Sequence, residues 1–123
     1  MEYKGFRDLI VFQKSYKLAL EIFEITKKFP PEEKYSLTDQ IRRSSRSVPQ
    51  NIGESWYKRK YPKAFINKLS DAIGEAAETE VWIDFSKDFS YIDIESHNYF
   101  VEKYEEVCRM LQSMINNPEK FCK

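Results

Sequence analysis

A proline inside a helical pattern constrains this chain more than any other feature. Leu37, Ile41, Val48, Ile52 and Trp56 are spaced by 4, 7, 4 and 4 residues, so they share one face of a 3.6-period helix. Pro49 falls within that run. It has no N–H for the carbonyl of Ser45, and its ring crowds that carbonyl, at a cost of roughly 3 kcal/mol in a helix interior. Val48, just before the proline, is also pushed away from α geometry. The expectation is a helix bent at Pro49. Ser47, Gln50 and Asn51 cluster at the break to satisfy loosened backbone groups, and Gly53 lets another backbone come close.

The rest of the chain follows a helical pattern on both sides of that stretch. Phe12, Tyr16, Ala19 and Phe23 form one apolar stripe, and Val11, Leu18, Ile22, Ile25 and Phe29 form another. A helix apolar over so wide an arc is buried on more than one side; a bundle core needs about one stripe, so the second suggests a partner. Asp8 suits the N-cap of this helix, and Pro30-Pro31 stop it. Ser36 with Asp39 resembles a capping box opening the second helix. Tyr61-Pro62 marks a corner with proline at the first position of the third. There Phe65, Leu69, Ala72, Ala76, Thr79 and Ile83 make one face, broadened by Ile66, Ile73, Ala77, Trp82 and Phe85. Gly74, Ala76 and Ala77 are small enough for close contact with the serines of helix two. Asp93 caps a fourth helix, in which Phe100, Tyr104, Val107, Leu111 and Met114 repeat at 4, 3, 4 and 3, a seam-like spacing. Tyr3 and Phe6, in a short leading arm, are expected to pack down. The sequence predicts an all-α, antiparallel up-down-up-down four-helix bundle, one domain over 1–123, with helices at about 8–29, 36–60, 62–89 and 93–116.

Composition narrows the chemistry. A chain of 123 residues buries about two thirds of its unfolded surface, enough for a core without staples. Cys108 and Cys122, the two cysteines, lack metal-ligand spacing and are expected to be reduced thiols in a cytoplasmic protein. No leading apolar segment or membrane-spanning run is visible. His97 is the one histidine, which excludes a histidine cluster or a Ser-His pair. Glu75, Glu78, Glu80 and Asp84 lack the Glu-x-x-His pairs of a di-iron site and read as a solvated acidic face. There is no GxGxxG and no P-loop. No enzyme activity, cofactor, metal or small-molecule substrate is predicted.

The net charge is zero, but residues 1–68 hold 15 Lys/Arg against 8 Asp/Glu, a balance of +7, while residues 69–123 hold 5 against 12, a balance of −7. Two readings follow: pairing between neighbouring helices of one bundle, or a basic face on one subunit meeting an acidic face on the next. Residues 36–68 alone hold 8 basic against 2 acidic residues, a balance of +6. Within them WYKRKYPK interleaves Trp56, Tyr57 and Tyr61 with Lys58, Arg59, Lys60 and Lys63, the pattern of a surface that stacks bases and holds phosphates. Arg43 is a further contributor; Trp56, at the edge of the apolar stripe, reads as core. Against this, the neutral total charge is unlike that of a dedicated nucleic-acid binder, and Arg42 and Arg46 flank the apolar stripe, where they equally suit a subunit interface.

The run Arg42–Ser55, RRSSRSVPQNIGES, resembles the R-R-A-A-x-S-I-P-x-N-I-A-E-G run of the 23S rRNA intervening-sequence protein family, bacterial four-helix bundles. Arg42, Arg43, Ser47, Pro49, Asn51, Ile52 and Glu54 match outright and Val48 conservatively; Ser44, Ser45, Gly53 and Ser55 replace other small residues. LIVFQKS from Leu9, Phe29-Pro30 through Glu33, Tyr35, Leu37 and Gln40, then Phe65, Leu69 and AIGEAAETE from Ala72 extend the match over about residues 6–92. The resemblance implies a ring, a homopentamer. A related group, the accessory variability determinant proteins of diversity-generating retroelements, consists of barrel-shaped rings that bind nucleic acid and a reverse transcriptase. RNA or a reverse transcriptase is therefore one implied class of partner. A protein-interaction ring without a nucleic-acid role is the other reading.

Overall fold

In the structure, a computed structural model describing residues 2–123, four helices carry the fold: α1 (Ile10–Thr26), α2 (Leu37–Trp56), α3 (Pro62–Asp88) and α4 (Ile94–Asn116). Short 3-10 turns at Phe6–Asp8, Pro31–Glu33 and Pro118–Lys120 flank or join them. The backbones of α1 and α2, α2 and α3, α3 and α4, and α4 and α1 lie side by side, whereas those of α1 and α3 stand farther apart. The helices therefore stand around one core, with α1 diagonal to α3. The core is built from the spacings read in the sequence: Val11, Leu18 and Ile22 of α1; Ile41, Val48 and Ile52 of α2; Phe65, Leu69, Ala72, Ala76 and Ile83 of α3; Phe100, Tyr104, Val107 and Leu111 of α4.

Pro49 is buried inside α2, and the helix runs through it from Leu37 to Trp56. Side chains next to the gap in the ladder bond backbone carbonyls: the Asn51 amide donates to the Ser47 carbonyl and the Ser47 hydroxyl to the Arg43 carbonyl, both at 2.8 Å. The space at Gly53 is filled by a ring rather than by backbone. A methyl group there would lie 3.5 Å from Phe6, which reaches it from the leading arm.

Several local expectations are corrected. The first helix starts at Ile10, not Asp8, because Leu9 is extended (φ −69°, ψ 125°) and the Asp8 carboxylate turns back to accept from the Lys4 amide at 2.7 Å. That helix stops at Thr26; Lys27, Lys28 and Phe29 follow with tighter i−3 bonds. Ser36 occupies the N-cap of α2, but its hydroxyl donates to Glu33 at 2.6 Å. The same Glu33 oxygen accepts from the Leu37 amide at 3.3 Å, so the carboxylate before the helix replaces the expected capping box. These bonds, with one from the Tyr91 hydroxyl at 2.8 Å, hold the Glu33 pKa below the usual carboxylate range. α2 ends at Trp56 rather than near residue 60, because Tyr57 and Lys58 bond three residues back and Pro62 holds Tyr61 extended. Asp93 caps α4 as expected, accepting from the Ser96 amide at 2.7 Å.

The close α2–α3 contact uses only some of the small residues expected in it. Ala72 and Ala76 are fully buried, and the hydroxyls of Ser44 and Thr79 meet at 2.8 Å. Each hydroxyl also has a carbonyl of its own helix within reach, Glu75 at 2.9 Å for Thr79 and Ile41 at 3.4 Å for Ser44. Gly74 and Ala77, by contrast, face outward.

Candidate interaction surfaces

The two stripes of α1 part company. Val11, Leu18 and Ile22 enter the core, while Phe12, Tyr16, Ala19 and Phe23, joined by Leu20, wall a groove of about 710 Å³. α2 supplies the opposite wall from Arg46, Pro49, Gln50, Gly53 and Glu54, and Phe6 and Tyr57 close one end. Tyr16 and Leu20 are 52% and 54% exposed. The aromatic side chains hold one another: Phe6 and Phe12 have ring centroids 4.9 Å apart, and Phe12 and Tyr16 5.8 Å. At the other end the Arg42 guanidinium lies 4.6 Å and that of Arg46 5.8 Å from the Phe23 ring centroid, in cation–π geometry. Arg42 also donates from Nε to the Thr26 hydroxyl at 2.8 Å. The family-like run thus has structural work at nearly every position: Arg42 ties α2 to α1, Ser47 and Asn51 bond backbone carbonyls, Pro49 and Ile52 are buried, and Glu54 pairs with Lys68 at 2.8 Å. That bond raises the Lys68 pKa.

The basic stretch lies at the α2–α3 corner. Tyr57 and Tyr61 are 79% and 61% exposed, and Lys58, Lys60 and Lys63 are exposed beside them. None of these three lysines is within ion-pair distance of a carboxylate among the described residues. Arg59 behaves differently. Its guanidinium lies 3.5 Å over the buried Trp56 ring, and its Nε donates to the Trp56 carbonyl at 2.7 Å. It locks the corner rather than reaching into solvent. Arg43 sits 14 positions before Tyr57, about 21 Å along the helix, and faces Asp39 at 3.8 Å. The corner therefore gathers Tyr57, Lys58, Lys60, Tyr61 and Lys63, leaves Arg59 as its clamp and leaves Arg43 apart.

Among the described residues no three His, Cys, Asp or Glu side chains converge as a metal-ligand group. His97 is engaged by Asp84 at 2.8 Å and by Asn98 at 3.0 Å. Both cysteines are free thiols; burial, with Glu80 and Glu105 nearby, pushes the Cys108 thiol up to about 11, so it is not a thiolate at neutral pH. Among the described residues no helix is long and apolar enough to cross a membrane.

A family model described as 23S rRNA-intervening sequence protein matches residues 7–113. The chain belongs to that family. Among solved structures it is similar to a protein of unknown function from the S23 ribosomal protein family of Bacteroides thetaiotaomicron, with 33% sequence identity and a TM-score of 0.78 over 86% of this chain and 98% of that one. A comparison with curated proteins finds no match. The sequence resemblance and the fold expectation thus agree with the family match and with an all-α architecture of four helices. Sequence reasoning had marked the second α1 stripe but not Leu20, Phe6 or Tyr57 as its companions. Phe6 belongs to an arm without helical periodicity, and Leu20 lies on the outer flank of the Phe12–Tyr16 stripe, away from the core stripe.

Proposed function

We propose that this protein is a non-enzymatic scaffold that assembles with further copies of itself and works by presenting surfaces to partners. The observation that carries this reading is the α1–α2 groove: an aromatic and aliphatic face of this extent, left uncovered by its own chain, is the kind of patch that marks an interaction site. A ring follows if the contact is head-to-tail and its rotation closes, and the family resemblance sets the expected count at five. Light scattering at micromolar concentration and moderate salt tests it. A multiple of the chain mass supports assembly, and a monomer rules it out.

A second activity rests on the α2–α3 corner, where unpaired lysines alternate with exposed tyrosines. Repeated around an assembly, such corners form a basic collar suited to sequence-tolerant contact with structured or single-stranded RNA in the cytoplasm. Phosphate contacts release counterions, so affinity would fall steeply with salt. Replacing Lys58, Lys60 and Lys63 by glutamate, while keeping the Arg59 clamp, is expected to abolish RNA binding at low salt and leave assembly unchanged. Undetectable binding by the unmodified protein would leave the interaction scaffold alone.

A further inference from the structure

A second apolar face lies on the helix diagonal to α1. Val81 and Phe85 point outward from α3, 48% and 44% exposed, and Phe89 follows at the C-cap, 51% exposed. They form a continuous ridge: ring centroids of Trp82 and Phe85 are 5.9 Å apart, and those of Phe85 and Phe89 5.7 Å. The charges on this exposed face are acidic. Glu78 and Asp84 lie there with Asp88, the last two with side chains 59% and 70% exposed. Asp88 has Lys87 within 3.6 Å, and Asp84 has His97 at 2.8 Å, so the face is acidic with partial local compensation.

We propose that this α3 ridge seats in the α1–α2 groove of the next copy of the chain. The proposal rests on the self-assembly reading above and adds which surface meets which. Shape is the first argument: a convex row of side chains on one helix faces a concave trough between two others. Charge is the second. The groove carries Arg46 in its wall and Arg42 at the Phe23 end, while the ridge is flanked by Glu78, Asp84 and Asp88. Glu54, also in the groove wall, is tied to Lys68 at 2.8 Å, and a ridge-to-ridge contact would instead set carboxylates together, which is unfavourable. Groove and ridge lie on different faces of one bundle, because α3 stands diagonally across the core from α1. The contact is therefore heterologous, and each copy keeps one unfilled surface of each kind until a ring closes.

Two double variants test the pairing, Tyr16→Ser/Leu20→Ser in the groove and Val81→Ser/Phe85→Ser on the ridge. Each is expected to weaken self-association by about 30-fold or more, the effect of removing central apolar anchors. Mixed one to one, they are expected to form a complex of two copies, one of each, because one intact groove and one intact ridge remain. All four positions are exposed, and helical circular dichroism checks the fold; should either variant unfold, Leu20→Ala or Phe85→Ala takes its place. If the unmodified protein assembles and the ridge variant assembles equally well, the pairing is overturned while self-assembly stands. A mixture that stays monomeric also overturns it. A monomeric unmodified protein overturns both readings.

Discussion

α2 meets its two neighbours in opposite ways. Toward α3 it offers Ser44, and α3 answers with Thr79 from the same face as Ala72 and Ala76, all fully or almost fully buried. Toward α1 it offers Pro49, Gly53 and Arg46, and α1 answers with Phe12, Tyr16, Leu20 and Phe23 around open space. Small side chains let two helices close on each other, with a hydroxyl pair satisfying the polar atoms that the approach would otherwise strand. Large rings at the rim of the other contact hold the helices' outer edges apart. The first contact closes two helices on each other; the second leaves apolar surface open to solvent.

Enlarging a closed-seam residue gives the largest effect expected. Ala76→Leu forces a bulky side chain into a filled contact and should lower stability by about 2 kcal/mol, shifting the melting midpoint down by roughly 5–10 °C for a domain of this size. Differential scanning calorimetry would read it, and an unchanged midpoint would mean that the seam has room to spare. Removing the hydroxyl pair is milder. Ser44→Ala should cost about 1 kcal/mol in urea unfolding, since Thr79 keeps its bond to the Glu75 carbonyl. The open contact should respond differently again. Leu20→Ser is expected to change the unfolding free energy of the isolated chain by less than about 0.5 kcal/mol, measured at low protein concentration. A loss as large as that of Ala76→Leu would show that the groove belongs to the core after all.

The smallest effect concerns the acidic half. Burial, with Glu105 and Asp84 nearby, raises the Glu80 pKa above its ordinary 4.5. The folded state therefore holds that proton more tightly than the unfolded one. The resulting stability is fully present below about pH 4.5 and is lost as pH rises through the higher folded pKa. Glu80→Gln should thus raise the melting midpoint slightly at pH 7 and leave it unchanged near pH 4. A difference that persists at pH 4 would rule out ionisation as the cause.

The four helices were legible because their core positions recur without interruption. Phe100, Tyr104, Val107, Leu111 and Met114 and the set from Phe65 to Ile83 are all buried as their spacing predicts. Helix ends were less legible because groups close in sequence compete for the same amides. Glu33 reaches the start of α2 before Asp39 is needed, and Asp8 is occupied by Lys4. Periodicity also cannot tell how wide an arc one core will cover. Phe85 and Ala77 sit beside an inward face yet turn out to solvent, as does Gly74. The basic corner was readable as a composition, but not the division of labour within it: the bond from Arg59 to the Trp56 carbonyl depends on α2 ending at Trp56, four residues sooner than expected.

The packing at the two ends of the chain has a consequence for its connectivity. Tyr3 stacks on Phe121 with ring centroids 5.9 Å apart, Phe121 stacks on Phe65 at 6.0 Å, and Tyr3 meets Trp56 edge-on at 6.3 Å. A short glycine-rich bridge would therefore span residues 3 and 121 without disturbing any helix, and the backbone could be opened instead at Ser90, whose φ of 64° places it in a turn of left-handed geometry. Such a circularly permuted chain would begin with α4 and run on through α1 to α3. It should still fold, because each helix would keep its neighbours, and both new ends would leave the molecule beside Phe89, at the far end of the bundle from the lysine-bearing corner.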